Sequence, residues 1–138
     1  MDNKRKHLEM LQGVINRMAN NSFLLKGWSV VLVSALFALA AKDSVKSFIY
    51  LSYFPALAFW ILDGYFLWQE KLYRALYDKV RKMSESEIDF SMDTSSVVQE
   101  IDSWCRVTFY KTLRIFYGTI MGTILVVMLI MFFSEKGG

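Results

Sequence analysis

Residues 115–134 read IFYGTIMGTILVVMLIMFFS, twenty residues in a row without a charge. Only Gly118, Thr119, Gly122, Thr123 and Ser134 among them are neither apolar nor aromatic. Twenty helical residues rise about 30 Å, the thickness of a bilayer's hydrocarbon core. Arg114 bounds the stretch on one side and Glu135-Lys136 on the other, so it reads as a membrane span against which the rest can be placed.

Upstream, residues 69–114 carry eight Lys or Arg and eight Asp or Glu. Leu72, Leu76, Val80 and Met83 recur at spacings of three and four, opposite Glu70, Arg74, Asp78 and Arg81, which is the pattern of one helix face. Residues 83–93 are acidic and serine-containing and read as a turn. Ser96-Val97-Val98-Gln99 has the form of a capping box. A second helix is therefore expected from Ser96, packing through Val97, Ile101, Trp104, Cys105, Thr108 and Thr112 and running unbroken into the span. Residues 69–114 would then form a helical hairpin.

Residues 47–68 read as a second span, interrupted by Asp63 and kinked by Pro55, with Trp60, Tyr65 and Trp68 suited to an interfacial belt. The connector at 42–46 is short, so an antiparallel first span precedes it at 23–41, with Lys26 snorkelling and Trp28 as an anchor. Before that, Leu8, Leu11, Ile15 and Met18 form an apolar stripe over 4–22, opposite Arg5, Glu9, Gln12, Asn16 and Asn20. This amphipathic helix either lies on the membrane surface or packs on its neighbours; alternatively Asn16, Arg17, Asn20 and Asn21 form a polar ring in an oligomer. Asn20-Asn21-Ser22 is an expected break. A cleaved leader could end at Ala38-Leu39-Ala40, but the long amphipathic stretch before it is unlike a leader, and the segment is expected to remain.

Composition agrees with an all-α membrane protein of three transmembrane helices. Of 138 residues 54% are hydrophobic, too many for a soluble domain of this size. Thirteen Lys and Arg fall at the N-terminus and between spans two and three, against three (Lys42, Lys46, Lys136) on the other side. By the positive-inside rule the N-terminus is cytoplasmic and the C-terminus periplasmic. His7, read as a solvated residue, and Cys105 are single, which excludes a His/Cys metal site within one chain. No phosphate-binding glycine loop or serine-elbow motif is present, so no enzyme and no cofactor are expected.

Four groups of residues remain as candidates. Asp63 lies at a depth close to that of Lys26 on the antiparallel neighbour, so it either pairs with Lys26 (or with Arg114) to lock the bundle or forms an acidic ring at a pore mouth. Gly118 and Gly122 form a small-xxx-small pair for close helix packing. Thr112, Thr119 and Thr123 followed by an apolar outer half that includes Val127 would suit a pore with a hydrophobic gate; ordinary packing is the alternative. Lys71, Arg74, Arg81, Lys82, Arg106 and Lys111 could hold an anionic ligand on the cytoplasmic face, although the segment has no net charge.

The run His7–Trp28 (HLEMLQGVINRMANNSFLLKGW) and Leu62–Glu70 (LDGYFLWQE) resemble small bacterial membrane proteins of anti-phage defence, and most closely the membrane effectors of the Hailong system. The resemblance implies a homo-oligomeric ion channel of the bacterial inner membrane. It also implies opening by a nucleotide or oligonucleotide signal made by a partner nucleotidyltransferase. A channel is compatible with the spans, because three per chain cannot enclose a pore and several chains would have to. The rival expectation is a non-conducting adaptor that holds a soluble partner.

Overall fold

Apolar stripes at helical spacing dominate the chain, and every regular element among the described residues is a helix. The structure, a computed structural model, describes residues 2–43 and 47–137. Five α-helices follow one another: α1 (Asp2–Asp43), α2 (Ser47–Leu51), α3 (Tyr53–Lys82), α4 (Trp104–Thr108) and α5 (Lys111–Gly137). Short 3-10 turns lie at Glu85–Glu87 and Val98–Glu100. Three stretches, Asp2–Lys42, Ser47–Lys82 and Lys111–Ser134, are long and apolar enough to cross a membrane. The connector expected at 42–46 falls mainly on residues 44–46, outside the described residues.

The break expected at Asn20–Ser22 is absent, because α1 runs through it as a single helix of 42 residues. Asn and Ser in a helix interior cost only tenths of a kcal/mol, about 0.7 at most. Packing outweighs that: Leu11 and Ile15 are fully buried, and Ser22 spends its hydroxyl on Asp63 rather than on a cap. At about 63 Å, α1 is roughly twice as long as a hydrocarbon core is thick. The same stripe carries His7 inward, correcting its reading as a solvated residue. It is 3% exposed, with its ring edge-on to Phe90.

Pro55 acts on the second span one turn upstream. Proline has no N–H to offer the carbonyl four residues back, here Leu51, and its ring crowds that carbonyl. The helix is accordingly interrupted at Ser52, whose N–H bonds Phe48 and Ile49 carbonyls at 3.2 Å. α3 then continues without a break from Tyr53 to Lys82.

The return segment is not the second helix that Ser96 was expected to start. Ser95 and Asp93 bond each other instead: Asp93 accepts from the Ser95 N–H at 3.0 Å and from its hydroxyl at 2.9 Å. Short polar side chains compete with the helical backbone in this way, and the β-branched pair Val97-Val98 adds little helix propensity to oppose it. The segment stays a strap of turns pinned to the helices by Ile88 and Val97. Ser103, not Ser96, caps the next helix, accepting from the Arg106 N–H at 3.4 Å. α4 ends at Phe109-Tyr110, so α5 begins afresh at Lys111 rather than continuing from the hairpin.

Two apolar cores result, at opposite ends of the α1–α3 pair. The first joins Leu11 of α1 to Leu72, Leu76 and Val80 of α3 and to Ile88 and Val97 of the strap. The second joins Val33 and Ala40 of α1, Ile49 of α2, Ala56 of α3 and Ile124 of α5. Each buried Leu or Ile of the first core contributes about 1.5–3 kcal/mol against water. Between helices in lipid that drive vanishes, leaving packing and polar bonds to hold them. A polar layer lies between the cores.

Candidate functional site

Asp63 of α3 is fully buried and is the centre of that layer. Its Oδ2 accepts from Lys26 Nζ of α1 at 2.6 Å and from the Tyr117 hydroxyl of α5 at 2.9 Å. Its Oδ1 accepts from the Ser22 hydroxyl, which also accepts from Lys26 Nζ at 2.9 Å. One carboxylate thus ties together the three helices that are long and apolar enough to cross a membrane. Arg114, the other partner considered for Asp63, is exposed. The Lys26 side chain is 22% exposed, and its Nζ lies 5.9 Å from the centroid of the Phe116 ring on α5.

The spacing explains the convergence. Ser22 and Lys26 are four apart on one face of α1, and their helix runs antiparallel to α3. Lys26 and Asp63 meet at one depth, and opposite charges there cost less together than either alone. Tyr117 lies one turn below Arg114, and Trp60 stacks on its ring at 6.0 Å with planes 9° apart. Nothing in the periodicity singled out Tyr117 or Ser22; only the tyrosine's polar tip in an otherwise apolar run hinted at a buried partner.

α4 is fastened beside this layer. Trp60 Nε1 donates to the Thr108 carbonyl at 2.7 Å, and Trp104 Nε1 donates to the Ile61 carbonyl at 3.3 Å. Trp104 stacks on Trp68 at 6.4 Å and meets Tyr65 edge-on at 5.3 Å. Gly64 permits this approach. A Cβ built there would lie 2.9 Å from Thr108 Cα and 2.8 Å from its Cβ.

α5 presents the opposite situation. Thr112, Gly118, Thr119, Gly122 and Thr123 are all exposed, and a Cβ at Gly118 or Gly122 would touch nothing within 4 Å. The threonine hydroxyls are spent on their own helix, Thr119 on the Ile115 carbonyl at 2.6 Å and Thr123 on the Thr119 carbonyl at 2.8 Å. Val127 leans into the second core, whereas Val126 and Ile130 continue the exposed stripe at spacings of three and four.

The basic residues are brought only partly together. Lys71 and Arg74 line an open groove of about 370 Å³ with Ala75, Asp78, Glu100, Ile101, Asp102 and Tyr110. Arg74 bonds Glu70 at 2.9 Å, Arg81 lies 3.6 Å from Asp78 and Arg106 3.5 Å from Asp102, while Lys71 sits 5.0 Å from the Tyr110 ring centroid. Lys82 and Lys111 are exposed. Between Met83 and Cys105 there are six carboxylates and no Lys or Arg, so the strap sets acidic charge opposite the basic helix. Asp102 is held below the usual carboxylate range, chiefly by the hydrogen bond from the Tyr110 hydroxyl, with Arg106 and Lys71 adding to it. The same bond raises the Tyr110 phenol. Among the described residues no three His, Cys, Asp or Glu stand close enough to hold a metal ion.

Compared with protein-family models, with curated proteins and with solved structures, the chain matches none.

Proposed function

We propose that the chain is one subunit of a homo-oligomeric ion channel, non-enzymatic, in a bacterial inner membrane, with its N-terminus cytoplasmic and its C-terminus periplasmic. The observation that carries the reading is the exposed α5 face. It sets Thr112, Thr119 and Thr123 beside Gly118 and Gly122 on a span otherwise apolar, and nothing among the described residues covers it. A second open face lies on α1, where Phe23, Leu24, Trp28 and Val31 surround Gly27. Two different open faces suit a closed ring of like subunits, each joining its α1 side to its neighbour's α5 side. In such a ring the threonines supply a mildly polar inner half, and Val126 and Ile130 a constriction able to close by dewetting.

Gating from the cytoplasm would pass through α3, one helix from the second core to the groove at Lys71 and Arg74. A ligand can open the pore only by binding the open state more tightly than the closed one. The resemblance of His7–Trp28 and Leu62–Glu70 extends the reading to a defence effector opened by a nucleotide or oligonucleotide from a partner nucleotidyltransferase. The lining of the groove, two cations against three carboxylates, favours a second reading, a non-conducting adaptor, because mixed charges suit a protein surface better than a polyanion. Reconstitution in liposomes separates them. Ion flux that requires an added oligonucleotide supports the channel, and saturable partner binding without flux under any ligand supports the adaptor.

A further inference from the structure

The corner where α4 meets α5 carries a concentration of unpaired positive charge at the membrane boundary. From Ser103 to Ser134 there is no Asp or Glu, and the three cations of that stretch, Arg106, Lys111 and Arg114, fall within nine residues. Arg106 has Asp102 beside it at 3.5 Å. Lys111 and Arg114 are exposed and have no ion-pair partner among the described residues. They are three apart on α5 and so share a face. Large apolar side chains flank them in the open, with Trp104 41%, Phe109 60% and Ile115 57% exposed.

The bonds to α3 fix the depth of this corner. Trp104 and Thr108 are held at Trp60 and Ile61, and Tyr117, one turn along from Arg114, is held at Asp63. Along α5, Arg114 therefore stands about one helical turn, some 5 Å of rise, from Tyr117, the residue bonded to Asp63, with the exposed Ile115 next to it. The carboxylate nearest that depth, Asp63, is fully buried and already paired with Lys26, so it is not available to Arg114. The anions available there are the phosphates of the lipids themselves, which a guanidinium can bind through two parallel hydrogen bonds.

We propose that the α4–α5 corner is a binding site for the headgroup phosphate of an anionic phospholipid, held by Arg114 and Lys111, with Arg106 at its rim and Phe109 and Trp104 against the glycerol and upper acyl chain. The site rests on the membrane placement of α5 and is independent of whether the protein conducts. Because it sits on the first turn of α5, the bound lipid would fix where that helix starts in the leaflet.

Native mass spectrometry of the full-length protein in a neutral detergent tests this, with phosphatidylglycerol and phosphatidylcholine of identical chains as competing probes. Phosphatidylglycerol should be retained preferentially, and excess inorganic phosphate should not displace it. Each cation near an anionic surface is worth a factor of about five, so Lys111→Gln with Arg114→Gln should lower the preference roughly thirtyfold. Arg114→Lys, which keeps the charge but not the paired hydrogen bonds, should hold part of it, more than Arg114→Gln does. Equal retention of the two lipids by the wild type would overturn the proposal even if the double variant failed to fold. So would a double variant that keeps the preference, or displacement by inorganic phosphate, which would mark a soluble-anion site instead.

Discussion

A buried carboxylate is most sensitive to the loss of its partners, and Asp63 has three on two other helices. Lys26→Met leaves that charge uncompensated and should destabilise the protein by about 3–5 kcal/mol, seen as a lower melting temperature in detergent. Tyr117→Phe removes one neutral donor while the lysine stays, and should cost about 1–3 kcal/mol. Exchanging the charges with Lys26→Asp and Asp63→Lys should recover part of the loss; no recovery would mean that the layer tolerates one polarity only. Gly64→Ala places a methyl against backbone at Thr108 and should cost about 1–3 kcal/mol and loosen α4, whereas Gly118→Ala meets open space and should leave the fold of a single chain unchanged. The Lys26–Asp63 contact follows from depth alone, since both lie at similar distances along antiparallel spans. Ser22 and Tyr117 were not legible, because each becomes a ligand of Asp63 only through the rotation of its helix, which packing decides.

Among the elements, α1, α3 and α5 were readable from long apolar runs, and the strap was not. Its geometry comes from local bonds such as Asp93 to Ser95, which compete with a helix by amounts too small for periodicity to reveal. The burial of His7 was hidden for the same reason, since Phe90 of the strap covers it. The end of the strap is held by Tyr110 donating to Asp102, and this makes a pH prediction. A depressed carboxyl adds stability that is present above its ordinary value and is lost as pH falls through the lower folded value. A raised phenol adds stability that is present below its ordinary value and is lost as pH rises through the higher folded one. The bond should therefore be intact from about pH 4 to pH 10, and be lost only as pH falls below the ordinary carboxyl value or rises above the ordinary phenol value. Protection from hydrogen exchange across residues 98–110, taken relative to the intrinsic rate at each pH, should be greatest inside that window, and Tyr110→Phe should abolish the difference.

At the scale of the molecule, two apolar cores flank a polar layer, and one face each of α1 and α5 is left open. The first core is extramembrane in character, because it includes the strap and the charged half of α3. Its loosening should be felt at the polar layer, since α3 is unbroken between them. If α5 lines a pore, Val126→Ser or Ile130→Ser should raise the basal leak of reconstituted liposomes more than Val127→Ser, which faces the chain's own core. Equal leaks from all three would remove the stripe as a gate.

The most direct measurement is thiol accessibility in an open channel. Thr119→Cys and Thr123→Cys, each in a Cys105→Ser background, are reconstituted and treated with a membrane-impermeant methanethiosulfonate while ligand-driven flux is recorded. Progressive block in both variants, with none in Cys105→Ser alone, is the result expected of a pore lined by α5. Sustained flux through protein whose new cysteines stay unmodified would contradict it.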